Sequence, residues 1–399
     1  MANLLIKNAL LNGAKTDLLI RDGVFAAIAP DLAAPDGIPV LDAGGKIIAP
    51  AFYNGHTHSA MSIMRGYADD LKLETWLNDY IWPFEGKLTG DDIRRGVRLA
   101  IAEMVRSGTV FFNDMYWMSD IALEVADEIG IRAMLGACLI SNSLSKLTRL
   151  DELEAAFRNA KNKHLLAIAH APHAVYTTDE KMLRAIAEQA KADGRFIHIH
   201  ASETAYEVAE CVKAHGMTPI AWLDSCGILT EKTILAHCVH LTPEDIEIIA
   251  KRRSVAVHNP CSNYKLCSGQ FDFKAVYEQG RCRVALGTDG CASNNNLSFF
   301  DEMKLAALNA KIKSGDPECG KAEDIWRIAT REGAEAFGLN AGALEVGRLG
   351  DAILLDPSLP QMTPLYNLAA NIVYSADTAC VDTVICDGRI LMKDKVLRF

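Results

Sequence analysis

The first fifty residues run as short apolar stretches, "NLLIKNALLNG", "DLLIRDGVFAAIA" and "GKIIAPAF", parted by Asn12-Gly13, Asp22-Gly23 and Gly44-Gly45. Such dipeptides close tight hairpins because both positions tolerate positive φ. The pattern therefore predicts a small β-sheet. The C-terminal segment repeats it with "GRLGDAILLD" and "ACVDTVICDGRILMKDKVL", turning at Asp387-Gly388. The two ends, residues 1–50 and 345–399, are expected to meet in one discontinuous β-sandwich domain.

Between them the pattern changes. Eight apolar β-type runs follow one another: "APAFYNGHTH", "GTVFFNDM", "RAMLGACLI", "LLAIAHAPH", "RFIHIHASE", "TILAHCVH", "SVAVHNPCS" and "RVALGTDG". Helical stretches separate them. In "TGDDIRRGVRLAIAEMVRSG", Thr89 and Asp92 make a capping-box start and Gly108 a stop, while "TDEKMLRAIAEQAKADG" ends at Gly194. Eight β-runs alternating with helices predict an α/β fold, a (β/α)₈ TIM barrel over residues 51–344. A doubly wound open sheet is the competing architecture, but no G-x-G-x-x-G follows a first strand.

Composition narrows the function. Half the residues are hydrophobic and 23% are charged, so the chain can bury a large core. A net charge of −10 disfavours nucleic acid or an anionic membrane surface, since either partner rewards a basic patch. A small ligand is expected instead. The N-terminus lacks a basic region followed by an apolar core and a small-residue cleavage site, and no run reaches the roughly 18 apolar residues of a membrane span. A cytoplasmic location is the expectation. The 11 cysteines show no C-x-x-C pair, which fits reduced core residues better than a disulfide framework or a zinc ribbon. Nothing fixes the oligomeric state, and a homo-oligomer is allowed.

The chemistry sits at the ends of the runs, where a barrel places its active site. The first run ends in His56 and His58, which share a strand face at i and i+2. The fourth ends in His170 and His173, the fifth in His200 with Glu203, the sixth in His237, the seventh in His258 and the eighth in Asp289. An isolated His-x-His is weak evidence for a metal. Several imidazoles and a carboxylate at the ends of different barrel strands are much stronger, and suit a borderline divalent cation such as zinc. On the fifth strand His198 and His200 share a face, so either could ligate. His200 is nearer the end, leaving His198 as a core or supporting residue. His258 reads equally as packing, and His164, His215 and His240 as ordinary positions.

The segments "NGHTHSAMSIMRG", "HAPH", "HASE", "LAHCVHL", "HNPCSNYKLCSG" and "LGTDGCASNNNLSFFDEM" resemble the motif set of the amidohydrolase superfamily, in its mononuclear aminohydrolase branch. The nearest resemblance is to 5′-methylthioadenosine/S-adenosylhomocysteine deaminases, and it extends from the first run to the eighth. It implies His56, His58, His200 and Asp289 as metal ligands and Glu203 and His237 as the proton-handling pair. Relatives with two metals carry a lysine at the fourth strand end. Here that strand ends "AIAHAPH", so one divalent ion is expected, zinc first, with iron or manganese as alternatives.

By the same resemblance "LETWLNDYIWPFEGKL" is a substrate-covering loop walled by Trp76 and Trp82, with Glu85 accepting ribose hydroxyls and His173 touching the purine. Arg149 matches an arginine that relatives offer to the homocysteine carboxylate. A second arginine is missing, since Ala137 and Cys138 stand in that region, and this favours methylthioadenosine or adenosine as substrate.

A divalent ion lowers the pKa of bound water, making hydroxide available near neutrality. Attack at C6 of an adenine needs the adjacent ring nitrogen protonated, a task suited to a carboxyl such as Glu203. Asp289 can accept the water's proton, and His237 can orient the nucleophile. The expected reaction is hydrolytic deamination of an adenine nucleoside to its inosine analogue and ammonia. Deamination of guanine, cytosine or a pterin, or hydrolysis of an s-triazine, is the alternative. A non-catalytic barrel would be expected to have lost ligands, and every one is present.

Overall fold

The computed structural model describes residues 2–141 and 147–399. Five N-terminal strands, β1 (Leu4–Leu11), β2 (Ala14–Arg21), β3 (Val24–Ala29), β4 (Val40–Asp42) and β5 (Ile47–Pro50), precede the barrel. The eight runs then form β6 (Phe52–Thr57), β7 (Thr109–Tyr116), β8 (Arg132–Leu139), β9 (Leu166–Pro172), β10 (Ile197–Ala201), β11 (Thr233–His237), β12 (Val255–His258) and β13 (Arg283–Leu286). The C-terminal segment adds β14 (Ala352–Leu355), β15 (Val381–Cys386), β16 (Arg389–Lys393) and β17 (Val396–Leu397).

The strands β6 to β13 pair in sequence order, all parallel. The amide N–H groups of Thr288 and Asp289, just past β13, donate to the His56 carbonyl at 3.0 Å each and draw the last strand onto the first. Only glycine fits at 287. A Cβ there would meet Asn259 Oδ1 at 2.4 Å and the His56 backbone at 2.9 Å. The outer helices bury their apolar faces on this ring. The helix Gly90–Arg106 starts with the capping box predicted from Thr89 and Asp92, and Glu180–Asp193 stops at Gly194 in the left-handed conformation.

The two chain ends combine in one nine-stranded mixed sheet, ordered β17-β16-β15-β14-β5-β1-β2-β3 with β4 on β1. The dipeptides Asn12-Gly13, Asp22-Gly23 and Asp387-Gly388 all have positive φ at both residues, as turns matching the twist of a hairpin require, whereas Gly44-Gly45, expected to close a hairpin, links β4 to β5, which both run parallel to β1. The short helix Leu368–Tyr374 of the C-terminal segment packs instead on the barrel helices Phe299–Ser314 and Ala322–Ala329. Sheet and barrel are joined by a buried cluster. The Arg132 guanidinium donates to Asp351 (2.9 and 3.2 Å) and to Asp387 (2.9 Å), and the Tyr53 hydroxyl donates to Asp351 (2.8 Å). Among the described residues, no helix is long and apolar enough to cross a membrane.

Candidate active site

The four expected ligands converge at the C-terminal mouth of the barrel. Asp289 Oδ1 lies 3.4 Å from His56 Nε2 and 3.3 Å from His58 Nε2, and His58 Nε2 lies 3.3 Å from His200 Nε2. Donors held tetrahedrally at bonds of roughly 2.0–2.1 Å stand about 3.3–3.4 Å apart, so these separations suit one ion. His237 belongs to a second, overlapping group of possible donors with His56 and His200.

Protonation points the same way. A backbone carbonyl cannot donate, so Nδ1 of His58, 2.5 Å from the Met115 carbonyl, must carry hydrogen, as must Nδ1 of His200, 2.7 Å from the His173 carbonyl. With hydrogen on Nδ1, the Nε2 of each ring is the nitrogen available to a bound ion. The Nε2 of His56 is buried and has no hydrogen-bond partner, while its Nδ1 lies 2.9 Å from His198 Nε2. Burial pushes the pKa of His56 down to about 4 and that of His200 well down. Burial opposes ionisation of Asp289, but the polar groups around it prevail and its pKa lies well below the usual carboxylate value. Neutral imidazoles beside a carboxylate are the donors a divalent cation requires.

Asp289 is held by neighbours the sequence did not single out. Its Oδ2 accepts from the hydroxyls of Ser262 (2.6 Å) and Ser293 (2.9 Å), and its Oδ1 from the Gly290 amide (2.8 Å). Asp114, at the end of β7, accepts from the Ser59 amide and hydroxyl (2.8 and 2.7 Å) and fixes the turn after His58. Ser262 was visible inside "HNPCSN", and Ser293 lies one helical turn beyond Asp289. Asp114 ends a run whose terminus had been given no role.

Glu203 and His237 face each other with Oε2 and Nε2 3.7 Å apart. Register aligns them: β10 and β11 pair Ala201 with His237. Burial raises the Glu203 pKa against the pull of His237. Burial works the other way on His237, but the carboxylates of Glu203 and Asp289 outweigh it and its pKa rises. The Ser268 hydroxyl donates to Glu203 Oε1 (3.1 Å), and His237 Nδ1 lies 2.8 Å from Asn263 Oδ1.

These groups floor a narrow cleft at the mouth of the barrel. Trp76, Trp82, Glu85 and His173, to which the resemblance pointed, lie along its walls, together with Leu73, Leu77, Tyr116, Trp117, Tyr176 and Leu266, which it did not single out. Burial raises the pKa of Glu85 and lowers that of His173 to about 3. His170, by contrast, turns away from the cleft to Asp193 at 2.9 Å. His198 supports His56, as the supporting-residue reading allowed. His258 stacks on Phe271 with ring centroids 4.5 Å apart. Arg149 does not line the cleft: it reaches Asp120 at 2.8 Å. Its own loop meets a helix-borne acid first, a contact no local pattern reveals.

A parallel eight-stranded barrel with histidines and an aspartate converging at its mouth defines a metal-dependent hydrolase. The family model for the amidohydrolase family matches residues 47–391, and the chain belongs to that family. It is 42% identical to a 5′-deoxyadenosine deaminase of Methanothermobacter thermautotrophicus, over 94% of this chain and 89% of that protein. It is 40% identical to a 5-methylthioadenosine/S-adenosylhomocysteine deaminase of Thermococcus sibiricus, over 95% and 90%. The crystal structure of an adenosine deaminase from Xanthomonas campestris with bound zinc superposes with a TM-score of 0.93, at 32% identity, covering 99% of this chain and 94% of that one.

Proposed function

We propose that this protein is a hydrolytic deaminase of an adenine nucleoside, exchanging the 6-amino group for oxygen and releasing ammonia. The observation that carries the reading is the convergence of His56, His58, His200 and Asp289 beside Glu203 and His237 in one cleft. The two relatives and the zinc-bound structure named above are all deaminases of adenosine-type compounds by name, which supports this reading.

These four residues would hold a divalent ion, which would supply the acidity that makes water a nucleophile near neutral pH. Zinc is favoured by the zinc-bound relative, while iron(II) and manganese(II) suit similar donors. The protein's own groups do the rest. Glu203, kept protonatable by burial, gives a proton to the ring nitrogen beside C6, so that the ring can accept electrons as the carbon turns tetrahedral. Asp289 takes a proton from the attacking water. His237 hydrogen-bonds the incoming oxygen and stabilises its developing charge. The proton taken by Asp289 then passes to the departing amine, and the hydroxyl proton lost as the C6=O bond forms returns to Glu203, which restores the site.

Glu85 accepts ribose hydroxyls, His173 contacts the purine, and Trp82 with Trp76 and Leu77 walls the substituent. With Arg149 engaged by Asp120, the apolar wall suits a neutral 5′ group, as in 5′-deoxyadenosine or methylthioadenosine, better than a homocysteine carboxylate. The eleven free cysteines fit a reducing compartment such as the cytoplasm. The test is Glu203→Gln, which should retain metal while ammonia release is nearly abolished. Unchanged activity would refute the role given to Glu203.

A further inference from the structure

Glu207 is buried in the first turn of the helix Ala205–His215, and its carboxylate does not cap that helix in the usual way. Thr204 does so, accepting from the Glu207 amide. The Glu207 side chain reaches back beyond the cap. Its Oε1 accepts from the Ser202 amide at 2.9 Å and its Oε2 from the Glu203 amide at 2.7 Å. One carboxylate thus clamps two consecutive peptide units, of which the second bears the proton-carrying side chain.

The clamped segment is strained and holds a second segment. Ser202 has φ +53, a left-handed conformation unfavourable for a residue other than glycine and kept only where surroundings impose it. The Ser202 carbonyl accepts from the amides of Val239 and His240 at 3.0 and 2.9 Å, and the Ala201 carbonyl from Cys238 at 3.1 Å. Those bonds stabilise the turn after β11, where His237 (φ +77) and Cys238 (φ +50) are both left-handed. Glu207 therefore grips Glu203 directly and His237 through Ser202.

We propose that Glu207 is a positioning residue for the deamination: by clamping the Ser202 and Glu203 amides, it fixes the separation of the Glu203 carboxyl and the His237 imidazole. The assignment rests on the deaminase reading for what those two groups do. The clamp itself stands independently of that reading. A displacement of about 1 Å in a proton-transfer geometry costs roughly 100-fold in rate. Binding of the nucleoside, made by other walls of the cleft, is left intact.

Glu207→Gln keeps the volume but one acceptor oxygen, and Glu207→Leu keeps neither. Glu210→Gln, half-exposed on the same helix and paired only with Lys213 at the surface, serves as control. Amide hydrogen exchange of the zinc-loaded protein should show residues 202 and 203 exchanging at least about tenfold faster in both Glu207 variants, with β6 to β9 unchanged. On 5′-deoxyadenosine, kcat should fall about 10- to 100-fold in Glu207→Gln and further in Glu207→Leu, with KM within about threefold and zinc near one equivalent. Unchanged exchange at 202 and 203 would overturn the clamp, whatever the substrate. Faster exchange with kcat unchanged, while Glu203→Gln is inactive, would overturn the positioning role. If wild type turns over no adenine nucleoside but exchange rises as expected, the clamp stands and the deaminase reading is what fails.

Discussion

The pairing of His56 with His198 makes a quantitative prediction. With Nε2 of His56 facing the ion, Nδ1–H donates to His198 Nε2 at 2.9 Å, which fixes the His56 tautomer and ring orientation. Partners of this kind change metal affinity by about 10- to 100-fold, or roughly 1.4–2.7 kcal/mol. His198→Leu removes the acceptor with little loss of volume. The unliganded fold should change little, by less than about 1.5 kcal/mol, because Nδ1 of His198 is buried without a partner and its removal relieves a desolvated group. His198→Gln restores an acceptor and should recover much of the affinity. Competition with a chromophoric zinc chelator measures the binding, and urea unfolding of the metal-free protein the stability. An affinity within twofold of wild type in His198→Leu would refute the argument, as would a binding loss matched by an equal loss of metal-free stability.

Other residues give further predictions. Arg132→Leu leaves Asp351 and Asp387 as buried carboxylates without their cation, and should cost about 3–5 kcal/mol in chemical unfolding; a change below about 1 kcal/mol would reduce the cluster to a surface-type pair. Glu302 is pushed up from 4.5 to about 8, by burial against the opposing hydrogen bonds of Cys261 and Asn294. The native state therefore keeps a proton that the unfolded chain releases. This contribution is full below about pH 4.5 and lost as pH rises through about 8, so Glu302→Gln should flatten the stability curve there by up to about 1.4 kcal/mol per pH unit; an unchanged slope would contradict it. Arg149→Ala should leave KM for 5′-deoxyadenosine within about twofold, because the side chain is held on Asp120; a large rise would place Arg149 on the substrate.

How much was legible differs by element. The barrel strands were readable because each is a buried apolar run, and the hairpins because only residues tolerant of positive φ fill their turns. The ligands were readable because strand-end position in a barrel converts distance in sequence into proximity in space. Side-chain direction was harder. His170 and His173 end the same run, yet strand alternation sends His170 outward to Asp193, while His173 follows Pro172, beyond the last residue of β9. His198 and His200 share a face, and only the depth of His198 beneath His56 distinguishes support from ligation. Arg149 and Glu207 could not be placed from sequence. An arginine chooses among distant acids by three-dimensional reach, and an acid in the first turn of a helix is usual for reasons unrelated to catalysis.

The most direct test of the account is deamination itself. Zinc-replete protein is given 5′-deoxyadenosine, methylthioadenosine, adenosine, S-adenosylhomocysteine, guanine and cytosine, following the ultraviolet change from 6-amino to 6-oxo purine and the ammonia formed. The account predicts one ammonia per nucleoside converted, best with the neutral 5′ substituents, abolished by chelation and restored by zinc. Turnover of guanine or cytosine with none of any adenosine derivative, or conversion that survives complete removal of the metal, would contradict it.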